Sequence, residues 1–276
     1  MSRAISRRRF LVATGTAGAA VAVDACGLEP RLVRLSRHAM PVASLPAALE
    51  GITVAHITDL HLPGNRRAAR HTLELLERER PDVVAFTGDL VEEAAALPLL
   101  TEFVAGISHG PVMVAIHGNW ERKARIPLGA LDRAYGRAGA EFLLNSRSVL
   151  TRGAARLGLV GLDDGLYHQP VLNATIRDSA STDADIWLVH CPAYRDRIPP
   201  DLERSPAAVL AGHTHGGQIR LPGWTPYRPL GSGDYVSGWY REGGAPLYVS
   251  RGVGTVVVEA RFFCPAELPI FTLQRA

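Results

Sequence analysis

A layered α/β fold is predicted for this chain of 276 residues by three observations. From Gly51 onward, short β-branched or apolar runs alternate with helical stretches, the order in which helices pack on a sheet. Hydrophobic residues make up 47% and charged residues 21%, which favours a packed core and argues against extensive disorder. Five apolar runs end in Asp, His or Asn, as strands do when they deliver polar side chains to one edge of an open sheet.

The first twenty-five residues read as an address. Ser6-Arg7-Arg8-Arg9-Phe10-Leu11 is a basic cluster that runs into an apolar stretch, Leu11 to Val23, diluted by Thr14, Gly15, Thr16 and Gly18. A positive start, a modest apolar segment and small residues near Ala25 mark an export signal. The paired arginines followed by Phe-Leu resemble the twin-arginine signal. The expected location is the periplasm or the outer face of the cytoplasmic membrane. An uncleaved anchor is the alternative, giving membrane association through the N-terminus. Cys26 stands where a lipoprotein cysteine stands, but Asp24 is a poor neighbour for that processing. No run reaches the roughly 18 unbroken apolar residues of a membrane span.

The formal charge of +3 belongs to this leader, which carries four arginines against Asp24 and leaves 26 basic against 26 acidic residues beyond it. Nucleic-acid binding therefore has no electrostatic support. Cys26, Cys191 and Cys264 are too few and too scattered for a disulfide framework or a thiolate zinc site. The expected organisation is an export signal or anchor over 1–25, a linker and opening strand over 26–50, and one domain over 51–276.

Arg31–Leu35 alternates enough for an edge strand and precedes a linker punctuated by Pro41 and Pro46. Strands are predicted over Ile52–Thr58, Val83–Thr87 and Val112–His117, with helices over Arg66–Arg80, Glu92–Gly106 and Leu128–Ala138. Glu141–Leu144, Ser148–Thr151 and Arg156–Leu162 read as a meander, and Ile186–His190 and Ala207–Ala211 as buried strands. Further strands are expected over Gln218–Leu221, Leu247–Ser250, Thr255–Glu259 and Leu268–Gln274. Pro222 to Trp239, rich in Gly, Pro and aromatic residues, is long enough for a functional rim loop.

The strand ends carry the chemistry. They deliver Asp59-Leu60-His61, Gly88-Asp89, Gly118-Asn119, His190 and Gly212-His213-Thr214-His215. In extended chain, residues two apart project to one side, which pairs Asp59 with His61 and His213 with His215. Each block alone is weak, because Asp-x-His and Gly-Asp are common turn sequences. The ordered set is specific. His56, His71, His109 and His168 lack this placement and read as structural or solvated.

The five blocks resemble the signature of the calcineurin-like metallophosphoesterases over roughly residues 50–276. Together with the leader and Glu29-Pro30, they look like an exported bacterial branch related to UDP-2,3-diacylglucosamine pyrophosphatases. The resemblance implies a four-layer α/β/β/α sandwich of two mixed β-sheets flanked by helices, with metals at one sheet edge. It also implies two divalent or trivalent ions. The first would take Asp59, His61, Asp89 and His215; the second would take Asp89, Asn119, His190 and His213, with Asp89 bridging. Carboxylate, imidazole and amide ligands without thiolates suit Mn, Fe or Zn. Two ions about 3.5–4 Å apart can activate water and hold phosphoryl oxygens for in-line attack. Asp89 and Asn119 would be the catalytic ligands, and no Gly-x-Ser-x-Gly elbow is present.

One position departs from the family. A histidine usually follows the Gly-Asn pair, and here Trp120 does. Indole donates a hydrogen bond but shuttles no proton near neutral pH, and losing a general acid lowers rates by about 10²–10⁴-fold. The expected bias is therefore toward phosphodiesters or pyrophosphates, lipid-linked ones included, over alkyl monoesters. His117 is a weak candidate to compensate. Lys123 and Arg125 read as solvated charge by default, with binding of a substrate phosphate as the alternative. Trp224, Tyr227, Tyr235, Trp239 and Tyr240 form an aromatic rim, suited to an acyl chain or to burying its own loop. Cys191 reads as a small buried hydrophobe. The rival functions are a pyrophosphatase for a UDP-linked acylated sugar, which export disfavours, and a metal-binding module whose catalysis has decayed at Trp120.

Overall fold

Strand β3, Val83–Thr87, is buried at all five positions, which is why its sequence is an unbroken apolar run rather than an alternating one. It lies between β2 (Thr53–Ile57) and β4 (Val112–Ile116), parallel to both. The computed structural model describes residues 24–167, 170–171, 182–200, 202 and 205–276. The leader, apart from its last two residues, and His168 lie outside the described residues.

The first sheet has six strands in the order β1-β12-β2-β3-β4-β5. Here β1 is Arg34–Val42, β5 is Glu141–Phe142 and β12 is Glu267–Arg275. The chain's last strand is therefore inserted between its first two, parallel to β1 and antiparallel to β2. The second sheet runs β10-β11-β9-β8-β7-β6. Its strands are Ser146–Arg152 (β6), Ala155–Gly161 (β7), Ala184–Leu188 (β8), Ala208–Ala211 (β9), Gly238–Tyr240 (β10) and Leu247–Val249 (β11). Both sheets are mixed, as expected.

The period of two assigns the faces. Val54, Val83, Ala85, Val114 and Ile116 of the first sheet meet Leu157, Leu159, Ile186, Leu188 and Leu210 of the second in a core between the sheets. The intervening Ala55, Val84 and Phe86 turn outward and pack under three helices. These are α1 (Arg66–Glu79), α2 (Leu97–Ala105) and α4 (Leu128–Arg137). Helix α1 buries Ala68, Ala69, Thr72, Leu75 and Leu76, the spacing of one helical face. It stops at Arg80, whose left-handed φ of 46° precedes Pro81. The outer face of the second sheet packs Trp187, Val209 and Leu247 against Tyr194, on the 3-10 segment Pro192–Arg197, and against Tyr235.

Several expectations fail locally. The predicted meander is split, since Glu141–Phe142 pairs parallel with β4 in the first sheet and only β6 and β7 form a hairpin in the second. The opening strand begins at Arg34 and runs to Val42, through Pro41 of the expected linker, on the sheet edge where a proline is tolerated. The predicted Glu92 helix begins only at Leu97, after the 3-10 turn Ala94–Ala96, because Pro98 suits the first turn of a helix but not its interior. Gln218–Leu221 and Thr255–Glu259 are not strands; the former makes only the isolated bridges Ile219↔Phe262 and Leu221↔Trp224. Gln218 has a φ of 53° and Val257 one of 63°, which breaks both runs. The Gln218 amide instead donates to the Val256 and Val258 carbonyls and accepts from Val256 N–H, replacing a sheet ladder with side-chain bonds. A short helix after the Gly-Asn block, α3 (Asn119–Lys123), was not anticipated.

Candidate metal centre

Strands β2, β3 and β4 of one sheet and β8 and β9 of the other send their C-terminal loops to a common edge. There the structure gathers all seven predicted ligands, each of them buried. Two clusters result. Asp59, His61 and His215 form one, and Asp89, His190 and His213 the other. In the first, His61 Nε2 is 3.0 Å from His215 Nε2, which lies 3.4 Å from Asp59 Oδ1. In the second, His190 Nε2 is 3.1 Å from Asp89 Oδ2 and 2.9 Å from Asn119 Oδ1. The same Asn119 oxygen is 2.7 Å from His213 Nδ1. Asp89 Oδ2 reaches toward both clusters, 4.0 Å from His61 Nε2.

The outward-facing ring nitrogens are largely tied down. His190 Nδ1 is 2.7 Å from the Thr87 carbonyl, His213 Nε2 is 2.8 Å from the Leu230 carbonyl, and His61 Nδ1 is 2.9 Å from Glu92 Oε1. A ring that donates its outer N–H to a carbonyl points a lone pair inward, the orientation of a metal-bound histidine. Inward lone pairs on His190 and His213 then confront the oxygens of Asp89 and Asn119. Acceptors 2.7–3.1 Å apart need either a proton or a metal ion among them. The donor set therefore fits two metal ions, with Asp89 and Asn119 on the second cluster.

The electrostatics agree. Burial lowers the His190 imidazole, but the neighbouring Asp89 carboxylate reverses this and pushes it up to about 10. Burial raises the Asp89 carboxyl, and His190 and His61 more than offset that, holding it below the usual range. His213 is pushed down to about 4 by burial and by His190. Burial and His61 also lower His215. Glu92 and Asp89 likewise raise His61 against the effect of burial, so positive charge already lies among these groups without a metal, and the two low histidines are ready ligands.

The loops that hold the ligands are strained. Asp59, His61, Asp89, His213 and His215 have φ between 50° and 72°, a region that costs a residue other than glycine about 1–3 kcal/mol. Two glycines make room. A Cβ on Gly118 would sit 2.3 Å from Asp89 Oδ1, and one on Gly212 would sit 2.0 Å from Thr58 Oγ1.

Two supporting elements escaped the sequence reading. Glu121, buried in α3, accepts from Asp89 N–H (3.0 Å) and Gly118 N–H (2.9 Å) through Oε2, and from Leu90 N–H (2.7 Å) and Val91 N–H (3.3 Å) through Oε1. Burial and the Asp89 carboxylate push its own carboxyl upward. The segment 252–254 also pairs with the Asp59 turn, Val253 N–H donating to Thr58 O and Gly254 N–H to Asp59 O. An acid two residues past Gly-Asn was a readable signal for Glu121; 252–254 had none.

A cavity of about 760 Å³ opens over the clusters, with Asp89, Asn119, His213 and His215 in its lining and Trp120, Lys123, Tyr167 and Tyr227 among its other walls. The Trp120 ring lies edge-on to His61 at 5.6 Å, and Lys123 Nζ sits 4.0 Å above the indole. His117 is buried against Asp163, 2.7 Å away, so it serves the fold rather than the cavity. His56, His71 and His109 bond to Thr87, Val33 and Pro81, away from the clusters. The aromatic rim divides: Trp224 and Tyr227 are exposed, whereas Tyr235 and Trp239 pack inward. Cys191 is buried, as expected.

A model of the calcineurin-like phosphoesterase family matches residues 52–217, more than half of the chain. The metallophosphoesterase YkuE of Bacillus subtilis is 26% identical, over 98% of this chain and 98% of its own. The phosphodiesterase YaeI of Escherichia coli is 26% identical, over 98% of this chain and 99% of its own. A metallophosphoesterase of Aquifex aeolicus is 25% identical, over 90% of this chain and 94% of its own.

Proposed function

Because this chain belongs to the calcineurin-like phosphoesterase family and is a metal-dependent phosphoester hydrolase, we propose that it is an exported, dinuclear enzyme that cleaves phosphodiester or pyrophosphate bonds with water. The observation that carries the reading is the pair of buried clusters with Asp89 reaching toward both. Asp59, His61, Asp89 and His215 would hold one ion, and Asp89, Asn119, His190 and His213 the other. Bound there, Mn, Fe or Zn ions supply Lewis acidity that lowers the pKa of water and offsets charge on the phosphoryl oxygens.

The chain's own residues set the rest. Trp120 N–H donates to Asp89 Oδ1 at 2.7 Å, which fixes the shared carboxylate so that Oδ2 faces the clusters. Thr87 and Leu230 fix the ring orientations of His190 and His213. The Trp120 indole stands at the mouth, where the family places a histidine, and it holds no transferable proton. Leaving groups that depart without protonation are therefore favoured. Lys123 brings a positive charge over that indole, suited to a second phosphate or to the diester anion. Export rests on the basic-apolar leader.

The test is to count metal on protein loaded separately with Mn, Fe and Zn, and to assay aryl diesters, alkyl monoesters and nucleotide pyrophosphates beside Asp89→Asn. Two metals per chain, with Asp89-dependent turnover fastest on diesters or pyrophosphates, is the expected result. One metal, or a preference for alkyl monoesters, overturns it.

A further inference from the structure

We propose that the mouth of the metal cavity is a docking face for an anionic lipid bilayer, whose phosphoesters it would present to the site; only that last clause rests on the function proposed above. Leu221, Trp224, Tyr227, Leu230, Val257 and Phe263 are all exposed, Leu230 to 81% and Val257 to 91%. Single exposed apolar residues are ordinary, but a contiguous set marks an interaction surface.

The loops that carry these residues are bonded to each other. Gln218 ties the loop 217–233 to Val256 and Val258 through three side-chain bonds. Backbone bonds from Phe262 N–H to Gln218 O, and from Arg220 N–H to Phe262 O, join the same two loops again. The collar thus stands on one braced surface, and three of its members, Tyr227, Leu230 and Val257, line the cavity itself. Tryptophan and tyrosine with aliphatic neighbours suit the boundary between headgroups and acyl chains. Arg220, Arg228 and Lys123 stand here against Asp234, which pairs with Arg228 at 3.5 Å, and Glu259, a small positive balance that complements anionic headgroups.

A second observation is independent of the collar. The first described residues, from Asp24, are bonded to the segment that carries Phe263. Arg261 N–H donates to Ala25 O, and Cys264 N–H donates to Glu29 Oε1. The leader is therefore continuous in sequence with a segment bonded to residues 261–264, which include Phe263. In sequence it is Arg7-Arg8-Arg9 followed by the apolar stretch to Val23, the composition that adds both apolar area and positive charge to an interfacial contact. Leader and collar thus point to the same occupant, a lipid surface.

The experiment uses the full chain with vesicles of phosphatidylglycerol and phosphatidylcholine in equal parts, carrying brominated acyl chains, and Trp224 as the reporter. Contact at the collar quenches Trp224 emission, and Trp224→Phe removes that quenching. The pair Leu221→Ser and Phe263→Asn, both outside the cavity lining, lowers the vesicle affinity read by this quenching by at least about tenfold. It leaves bound metal and hydrolysis of a soluble aryl diester unchanged. Asparagine suits Phe263, whose φ is 50°. Three results overturn the proposal: vesicle binding without Trp224-dependent quenching, which means the leader alone holds the protein; unchanged quenching in the paired variant; or self-association in solution that buries Trp224. Turnover on the soluble diester is read separately, so loss of the enzymatic reading and loss of the docking reading are distinguishable.

Discussion

Replacing Glu121 by glutamine keeps the shape of the side chain and removes half of an acceptor pair on which four backbone N–H groups depend. The carboxylate takes Asp89 and Gly118 on one oxygen and Leu90 and Val91 on the other. Glutamine retains one oxygen and turns an NH2 group toward the other pair of donors. Two buried N–H groups are then left unsatisfied, at about 1–3 kcal/mol each, or about 4 kcal/mol for the pair. That is a large fraction of the roughly 5–15 kcal/mol that holds a domain together. The affected donors belong to the Gly88-Asp89 and Gly118-Asn119 turns, so metal retention falls with stability. The assay is urea unfolding followed by circular dichroism in chelator, which keeps metal affinity out of the stability term, together with a metal count after reloading. Glu121→Gln within about 1 kcal/mol of the parent, with full metal content, would refute the claim that this carboxylate organises the ligand turns.

Asp89→Asn removes the charge shared by both clusters and is expected to lower turnover by at least about 10³-fold on every substrate, measured against bound metal on the same sample. Gly212→Ala places a methyl group 2.4 Å from Asp59 Oδ2; occupancy of the first cluster should fall while the second persists, as metal analysis on graded loading would reveal. Trp120→His restores a proton carrier at the mouth and should raise alkyl monoester hydrolysis by about 10–10²-fold with little change for aryl diesters; no selective gain contradicts the leaving-group argument. Acid sensitivity should come in two stages. Burial pushes the His56 imidazole down to about 3, so its contribution is complete above its unfolded value near 6.5 and shrinks as pH falls, by about 2 kcal/mol at pH 5. Burial raises Glu267, but Arg251 with Ser36 and Tyr248 holds it below 4.5, which adds a second loss only as pH drops under that value. Urea midpoints across this range check both stages, and His56→Leu should remove its share of the first, leaving that of His213 and His215.

The candidate ligands were legible because each follows a short, largely apolar run, and such runs are interior parallel strands whose ends share an edge. The pattern could not show that Glu121 and the 252–254 segment brace those ends, because hydrogen bonds to distant backbone leave no local period. Glu92, placed by the sequence inside a helix, lies before it and faces His61. The valines at 256–258 have strand propensity, yet no strand edge is offered to them, and tertiary context prevails. Of the rim aromatics, sequence could not separate Trp239, which packs against Tyr248 and Phe271, from Trp224, which stays in solvent. Composition was the same; only the neighbouring strand differed.

The position of β12 bears on the order in which the molecule is made. Residues 267–275 fill the gap between β1 and β2, and β2 ends in the Asp59 turn that 252–254 supports. A ribosome delivers all seven ligands before it delivers the strand that closes the seam. During that interval β1 and β2 lack their common partner, so the Asp59 turn hangs from a strand with one open edge. Chains halted before residue 267 would carry the complete ligand set yet hold the first ion poorly. Metal loading is thus expected to report on completed synthesis as well as on the candidate ligands themselves.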